Sequence, residues 1–288
     1  MASIFVTGAT GYLGAVACEK LIAAGYDVTG LARSPEAAAK LVDAGVRPVH
    51  GALGDAALLA AAARSADAVL HAAADWGPGF AASDRAAVEA MLDALTGSAK
   101  PFVYTSGTWV MGGTGGRLAG EMFPLNGPPL VAWRPAVERL VLDSAEKKVR
   151  GVVLRPAMVF GRGGGTAGKI ARGELPVVGD GSNHWSFVNV DDLGDLYVLA
   201  TERGRSGCVY LAADGPPVKT ADLAAALGAA PPVPLEQARE RFGPVAECWA
   251  LDQKIGSTRA FRELGWRPTR PTVLQEGKRC GLRSTAPH

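Results

Sequence analysis

Eight consecutive residues, Thr7-Gly8-Ala9-Thr10-Gly11-Tyr12-Leu13-Gly14, set three glycines at regular spacing behind the apolar run Ile4-Phe5-Val6. A strand that runs into such a turn and then into a helix offers free backbone N–H groups to a phosphate. Each glycine has a mechanical task there: a tight turn, close approach of the backbone to a pyrophosphate, and close packing of helix on sheet. On its own GxxGxxG is a weak signal. Between a strand and a helix it is a strong one, and an ordinary glycine-rich loop is the lesser alternative. The cradle is expected at Gly8, Thr10, Gly11, Tyr12, Leu13 and Gly14, with a nicotinamide dinucleotide as its ligand.

The end of the second strand separates two forms of that ligand. A carboxylate there would accept hydrogen bonds from the adenosine ribose. This chain has Ala32-Arg33-Ser34 instead. Without the acid there is no repulsion of a 2′-phosphate, and Arg33 can meet it with charge-assisted hydrogen bonds. NADP(H) is therefore expected over NAD(H), with Arg33 and Ser34 as contacts. The alternative is a surface arginine that merely follows a strand.

The elements that must position these residues alternate. Strands are expected at 4–7, Asp27 to Ala32, Val46 to His50, Ala68 to Ala72, Phe102 to Thr105 and Val152 to Arg155. Helices fall between them: Ala15 to Ala24, a segment capped by Ser34 with Pro35 at its first position and ending at Gly45, 55–64 and 83–95. Such alternation predicts an α/β fold, a Rossmann-type doubly wound parallel sheet with a small C-terminal substrate lobe. The dinucleotide-binding domain is placed at 1–160, with 186–213 returning to it. The lobe is placed at 161–185 and 214–280, and 281–288 is read as a frayed tail. Gly161 to Gly165 reads as a loop, Leu193–Thr201 as a helix and Val209 to Ala212 as a strand. Pro216-Pro217, Pro231-Pro232 and Pro234 read as breaks between short helices.

Over most of its length the sequence resembles an extended, atypical short-chain dehydrogenase/reductase, of the NAD(P)-dependent epimerase/dehydratase kind. The residues that carry the resemblance are the opening TGATGYLG, His71-Ala72-Ala73-Ala74, Tyr104-Thr105-Ser106-Gly107, Leu154-Arg155-Pro156 with Val159-Phe160-Gly161, Val188 to Leu193, and Leu264-Gly265-Trp266. The resemblance implies that Ala72, Ala73, Ala74 and Thr105 lie along the cofactor, and that Pro156, Ala157 and Val159 lie near the nicotinamide. It also implies an acid holding adenine near Gly51-Ala52-Leu53. Ala52 cannot serve, which leaves the backbone of Leu53. A homodimer through helices near 83–95 and 135–147 is a further implication, with Val137, Leu140 and Val141 serving either core or interface.

The usual chemistry of that superfamily uses a Ser/Thr and a YxxxK motif. Registered on Glu138-Arg139-Leu140-Val141-Leu142, the Tyr place falls on Leu130, the Lys place on Arg134 and the Ser/Thr place on Gly107, between Ser106 and Thr108. Pro135 disfavours helix at Arg134, so Trp133 and Arg134 are expected in a loop at the helix mouth. Arg134 remains charged; it is a poor proton donor and a good electrostatic clamp for the cofactor ribose, a substrate anion or a developing oxyanion, or else a structural surface arginine. Losing a general acid costs about 10²–10⁴ in rate. Another group must then supply the proton, or water must, or no hydride transfer occurs. Thr108, Arg134, His184 and Ser106 are the catalytic candidates, with Tyr12 and Asp75 beside them. A loop histidine in water and a capping aspartate are the plain alternatives for His184 and Asp75. Trp76, Trp109, Trp133 and Trp185 are read as an aromatic wall for a flat or apolar substrate, or as packing between loop and lobe. Trp266 is read as a structural anchor, and Asp191 and Asp192 as helix caps.

Composition narrows the class. The net charge is +2 without a basic block, so nothing argues for nucleic acid or an anionic membrane. Cys18, Cys208, Cys248 and Cys280 have no CxxC spacing and read as reduced thiols of a cytoplasmic protein, with no metal site. The leading expectation is an NADP-dependent oxidoreductase acting on a carbonyl or activated double bond of a small apolar or aromatic molecule, with a degraded Tyr–Lys motif. The alternatives are an NADP(H)-binding redox sensor without catalysis and a non-redox isomerase of the same fold.

Overall fold

The computed structural model describes residues 1–74, 77 and 79–284, with side chains described as far as 278. In chain order the elements are β1 (Ser3–Thr7), α1 (Tyr12–Ala23), β2 (Asp27–Ala32), α2 (Pro35–Asp43), β3 (Arg47–His50), α3 (Ala56–Ser65), β4 (Ala68–His71), α4 (Phe80–Leu95) and β5 (Pro101–Thr105). They continue with β6 (Leu118–Ala119), α5 (Arg134–Asp143), β7 (Arg150–Pro156), β8 (Met158–Gly161), α6 (Gly165–Ala171), β9 (His184–Asn189), α7 (Val190–Arg203), β10 (Cys208–Ala212) and β11 (Asp214–Lys219). Last come α8 (Thr220–Leu227), α9 (Leu235–Phe242), α10 (Val245–Trp249), β12 (Lys254–Ile255) and α11 (Val273–Ser284).

The chain divides into two compact units. The first holds 1–106, 133–154 and 194–210; the second holds 107–132, 155–193 and 211–288. The first is built on a seven-stranded sheet of order β10-β7-β5-β4-β1-β2-β3, parallel at every pairing from β3 to β7. Strand order reverses between β1 and β4, which is where open α/β sheets bind ligands, beyond the carboxyl ends of the strands. This is the Rossmann-type fold the alternation predicts. Its strands are buried on both faces, as Ala68–His71 and 102–105 are throughout. Phe5, Leu59, Val69, Val88, Met91 and Phe102 form its core.

In the second unit β8 and β9 run parallel and β11 lies antiparallel to β9. Its core gathers Phe160, Ile170, Val178, Trp185, Phe187 and Leu223. Several expectations fail here. The loop expected over Gly161 to Gly165 is shorter than read: Gly161 ends β8, Gly165 opens α6, and a tight turn at 162–164 joins them. Residues 184–189, left without a strand, form β9. Pro216-Pro217 lies inside β11, where the register shifts between Asp214 and Val218. Proline has no N–H to give to a ladder, and an edge strand with a bulge needs none there. The expected tail falls within α11 as far as Ser284; residues 285–288 lie outside those described. No described helix is long and apolar enough to cross a membrane.

Candidate functional site

After β1 the chain turns at Gly8 with φ +72°, a conformation L side chains rarely adopt. A Cβ at Gly8 would stand 2.6 Å from the carbonyl of Ala72 and the nitrogen of Ala73, so the turn rests directly on the end of β4. A Cβ at Gly14 would strike the Gly8 oxygen. Gly11 differs. It caps α1 in extended backbone, its N–H bonds the Gly8 oxygen at 2.9 Å, and a Cβ there would meet only that oxygen, at 3.1 Å. The α1 terminus has no side-chain cap and no acidic residue in its first turn, so its positive end is not compensated locally. Thr10 and Gly11 are exposed, while Tyr12 and Leu13 are half-buried. The glycines therefore fit the pyrophosphate of a dinucleotide: two are consumed by the fold and one is left facing outward.

Arg33 follows β2, is exposed, and has no hydrogen-bond or ion-pair partner among the described residues. Ser34 is engaged as the cap of α2, its Oγ accepting from Ala37 N at 3.2 Å. Leu53 packs part-buried against the core, and Ala52 is exposed. Ala72 is buried with its N–H on the Thr7 oxygen at 3.2 Å; Ala73 is half-buried and Ala74 exposed. Asp75 and Trp76 lie outside the described residues.

At the end of β5 stands a polar network the sequence reading missed. Thr7 Oγ1 pairs with His71 Nδ1 at 2.7 Å, and His71 Nε2 with Asp84 Oδ1 at 3.0 Å. Tyr104 donates its hydroxyl to Asp84 Oδ2 at 2.8 Å and accepts from Arg134 Nη1 at 3.3 Å. The same Nη1 donates to the Thr105 oxygen at 3.1 Å. Thr7, His71, Asp84 and Tyr104 are fully buried and Arg134 is 6% exposed. Burial raises the Tyr104 phenol well above its ordinary range; Arg134 opposes the rise and Asp84 adds to it. This tyrosine is a structural hydroxyl, not a proton donor. Asp84 could have been found, because it falls on the apolar stripe Phe80, Ala87, Val88 and Met91 of α4, where an acid needs a partner.

Arg134 is the first residue of α5, not a loop residue before it, and Pro135 follows inside the first turn. The bias against helix before proline is overridden because that turn needs no N–H from Pro135, while Tyr104 and Thr105 hold the guanidinium. Arg134 also lies over the Trp133 ring, 4.7 Å from its centroid, and Trp133 meets Phe80 edge-on at 5.7 Å. Among the described residues Nε and Nη2 of Arg134 have no acceptor. Ser106 Oγ, one residue after Thr105, is buried without a partner among the described residues. Thr105 Oγ1 is taken by the Tyr197 hydroxyl at 3.0 Å.

In the second unit, Thr108 opens a single 3-10 turn and is buried. Its Oγ1 donates to Gln253 Oε1 at 3.4 Å, and Gln253 Nε2 donates to the Thr108 and Gly112 oxygens at 2.8 and 2.7 Å. His184 begins β9, with Nδ1 3.0 Å from Asp252 Oδ1. Asp252 and Gln253, neither singled out in the sequence, thus hold two of its candidates; nothing local in the sequence marks them. Pro156 and Ala157 are buried and Val159 is half-buried. A side chain at Gly107 would meet only the Pro156 oxygen, at 3.9 Å. Trp109 packs part-buried against the core of this unit. Trp185 is 2% exposed and donates its indole N–H to the Trp249 oxygen at 3.0 Å, which is packing and not a substrate wall. Trp266 is buried with its N–H on the Asp192 oxygen at 2.8 Å, an anchor as expected. Burial pushes the Cys18 and Cys248 thiols up to about 12, so neither is poised as a nucleophile. No metal-binding cluster occurs among the described residues.

Known proteins carry the same framework. An uncharacterised protein of Saccharomyces cerevisiae is 31% identical over 297 residues, covering 95% of this chain and 97% of its own. The 3-diazoavenalumate denitrifying reductase of a Streptomyces species is 29% identical over 303 residues, covering 93% of this chain and 97% of its own. The structure of dTDP-glucose 4,6-dehydratase from Streptomyces venezuelae, with NAD bound, superimposes with a TM-score of 0.79 at 22% identity, covering 98% and 97% of the two chains. The NAD dependent epimerase/dehydratase family matches residues 4–213, nearly the whole of the expected cofactor half. This chain is a member of that family.

Proposed function

We propose that the protein is an NADP-dependent oxidoreductase that reduces a carbonyl or an activated double bond of a small apolar or aromatic molecule, without the Tyr–Lys pair of its superfamily. The observation that carries this reading is Arg134. Arg134, which the sequence register sets in the place of the lysine, is a buried guanidinium pinned through Nη1 at the carboxyl end of β5, with Nε and Nη2 unclaimed among the described residues. Such a group stabilises negative charge growing on an oxygen, an effect often worth several kcal/mol in a dry site. Arg33, exposed and without a partner among the described residues, supports NADP over NAD. A relative named as a reductase supports redox chemistry.

When bound, the reduced cofactor would supply a hydride. Gly8, Gly11 and Gly14 would seat its pyrophosphate, and Arg33 its 2′-phosphate. Arg134, with the hydroxyl of Ser106, the residue after Thr105, would hold the substrate oxygen. Within the second unit, Thr108 and His184 are the candidate groups for hydrogen-bonding a substrate and giving it a proton.

The test follows NADPH absorbance against a panel of aromatic ketones, quinones and enones, with Arg134→Met as control. Turnover lost about 10²-fold or more in the variant supports the reading. Cofactor binding without turnover on any compound favours the sensor, a reading motivated by Leu130, which stands in the tyrosine place and has no proton to give.

A further inference from the structure

We propose that Asp252 is the positioning residue that fixes the tautomer of His184, leaving Nε2 as its working nitrogen. This deepens the reading above and rests on it. Asp252 Oδ1 accepts the backbone N–H of His184 at 2.7 Å and lies 3.0 Å from Nδ1 of the same residue. An oxygen already serving as acceptor for that backbone N–H is complemented by a proton on Nδ1, not by a second lone pair. The neutral ring then carries its hydrogen on Nδ1 and its lone pair on Nε2. Nε2 has no partner among the described residues, and the side chain is 19% exposed, so it is reachable by a ligand without being loose in water.

Two further observations fix the place of the ring. Phe187 of β9 lies opposite Met158 of β8, so His184 stands three residues beyond that pair, at the edge where β8 begins, directly after Pro156 and Ala157. Gln253 donates its backbone N–H to the His184 oxygen at 2.8 Å while its side chain holds Thr108. Adjacent residues therefore restrain an imidazole and a hydroxyl. The charged groups placed against His184 are Asp252 and, opposite it in register on β11, the exposed Lys219.

As an acid, His184 would give a substrate oxygen the Nε2 proton of its imidazolium form. The O–H bond forms as the N–H bond breaks, the ring is left neutral with its hydrogen on Nδ1, and water returns the proton. An acid of this kind contributes about 10²–10⁴ in rate.

The test separates position from catalysis. Long-range ¹H–¹⁵N spectra of the full chain report the tautomer of each imidazole, and the chain has four histidines, with His184→Gln assigning the signal. At pH 8, the wild type and Asp252→Asn should show the Nδ1–H form, since an amide oxygen can accept both hydrogens; Asp252→Ala should shift to the Nε2–H form that an unconstrained histidine side chain prefers. Nε2–H in the wild type, or no shift in Asp252→Ala, would overturn the proposal. On a compound turned over by the wild type, Asp252→Ala should lower kcat about 10-fold or more with KM little changed and alter the pH profile, and Asp252→Asn should restore most of it. An unchanged kcat and pH profile in Asp252→Ala also overturns it. If no compound is turned over while the tautomers behave as stated, the oxidoreductase reading fails and the positioning role of Asp252 stands.

Discussion

The Tyr104 hydroxyl links two opposite charges in the core of the first unit, donating to Asp84 Oδ2 at 2.8 Å and accepting from Arg134 Nη1 at 3.3 Å. Removing one partner of such a set leaves the other buried without compensation, the costly direction for a buried charge. Asp84→Ala should therefore lose about 3–5 kcal/mol in urea denaturation. Tyr104→Phe, which unpairs one oxygen of Asp84, should lose about 1–3 kcal/mol. Neutral stability for Asp84→Ala would show that the network is not charge-compensated as described.

The three glycines should separate by what each substitution meets. Gly8→Ala and Gly14→Ala collide with backbone and should destabilise the fold itself. Gly11→Val projects outward past the Gly8 oxygen and should leave circular dichroism and the melting transition near wild type while abolishing dinucleotide binding by calorimetry. Retained affinity in Gly11→Val would place the phosphates elsewhere.

The proposed cofactor preference rests on Arg33. NADP(H) should bind at least about tenfold more tightly than NAD(H), a difference equivalent to about 1.4 kcal/mol. Arg33→Ala should erase most of that preference with NAD(H) affinity little changed. Equal affinities in the wild type would show Arg33 to be an ordinary surface residue.

Asp214 makes stability depend on pH. Its carboxyl is raised to about 7, chiefly by burial, with repulsion from Asp192 and Glu276 adding and the Asn189 N–H opposing. Oδ2 takes that N–H at 2.6 Å, and Oδ1 has no partner among the described residues. The folded state binds the proton more tightly than the unfolded chain, whose Asp titrates near 4. The contribution is thus complete below about pH 4 and is lost as pH rises through about 7, up to about 4 kcal/mol in all. The melting temperature should fall between pH 5 and pH 8, and Asp214→Asn, which still accepts from Asn189, should flatten that slope. An equally steep fall in the variant would assign the dependence to other groups.

Much of this was legible locally. The glycine turn between β1 and α1 and the alternation of β1 to β5 with their helices follow from spacing within a few residues. The rest depends on contacts between distant segments. His184 and Asp252 are 68 residues apart, and Thr108 and Gln253 are 145 apart, so no window contains either pair. Pro216-Pro217 reads as a break because proline usually ends a ladder, yet an edge strand with a register shift accommodates it. Trp185 reads equally as a binding surface or as packing, and only its N–H bonded inside a core decides for packing. Asp84 is the instructive omission: an acid on an apolar helical stripe was visible in the sequence, and it marks the network that holds Arg134.

Hydride transfer is tested most directly with NADPH deuterated at C4, each face in turn, incubated with the wild type and the panel of ketones, quinones and enones, and read by mass spectrometry of the products. Deuterium should appear on carbon in at least one product, from one face only, and should vanish with Gly11→Val. Tight NADPH binding with deuterium retained on the cofactor for every acceptor would contradict an oxidoreductase.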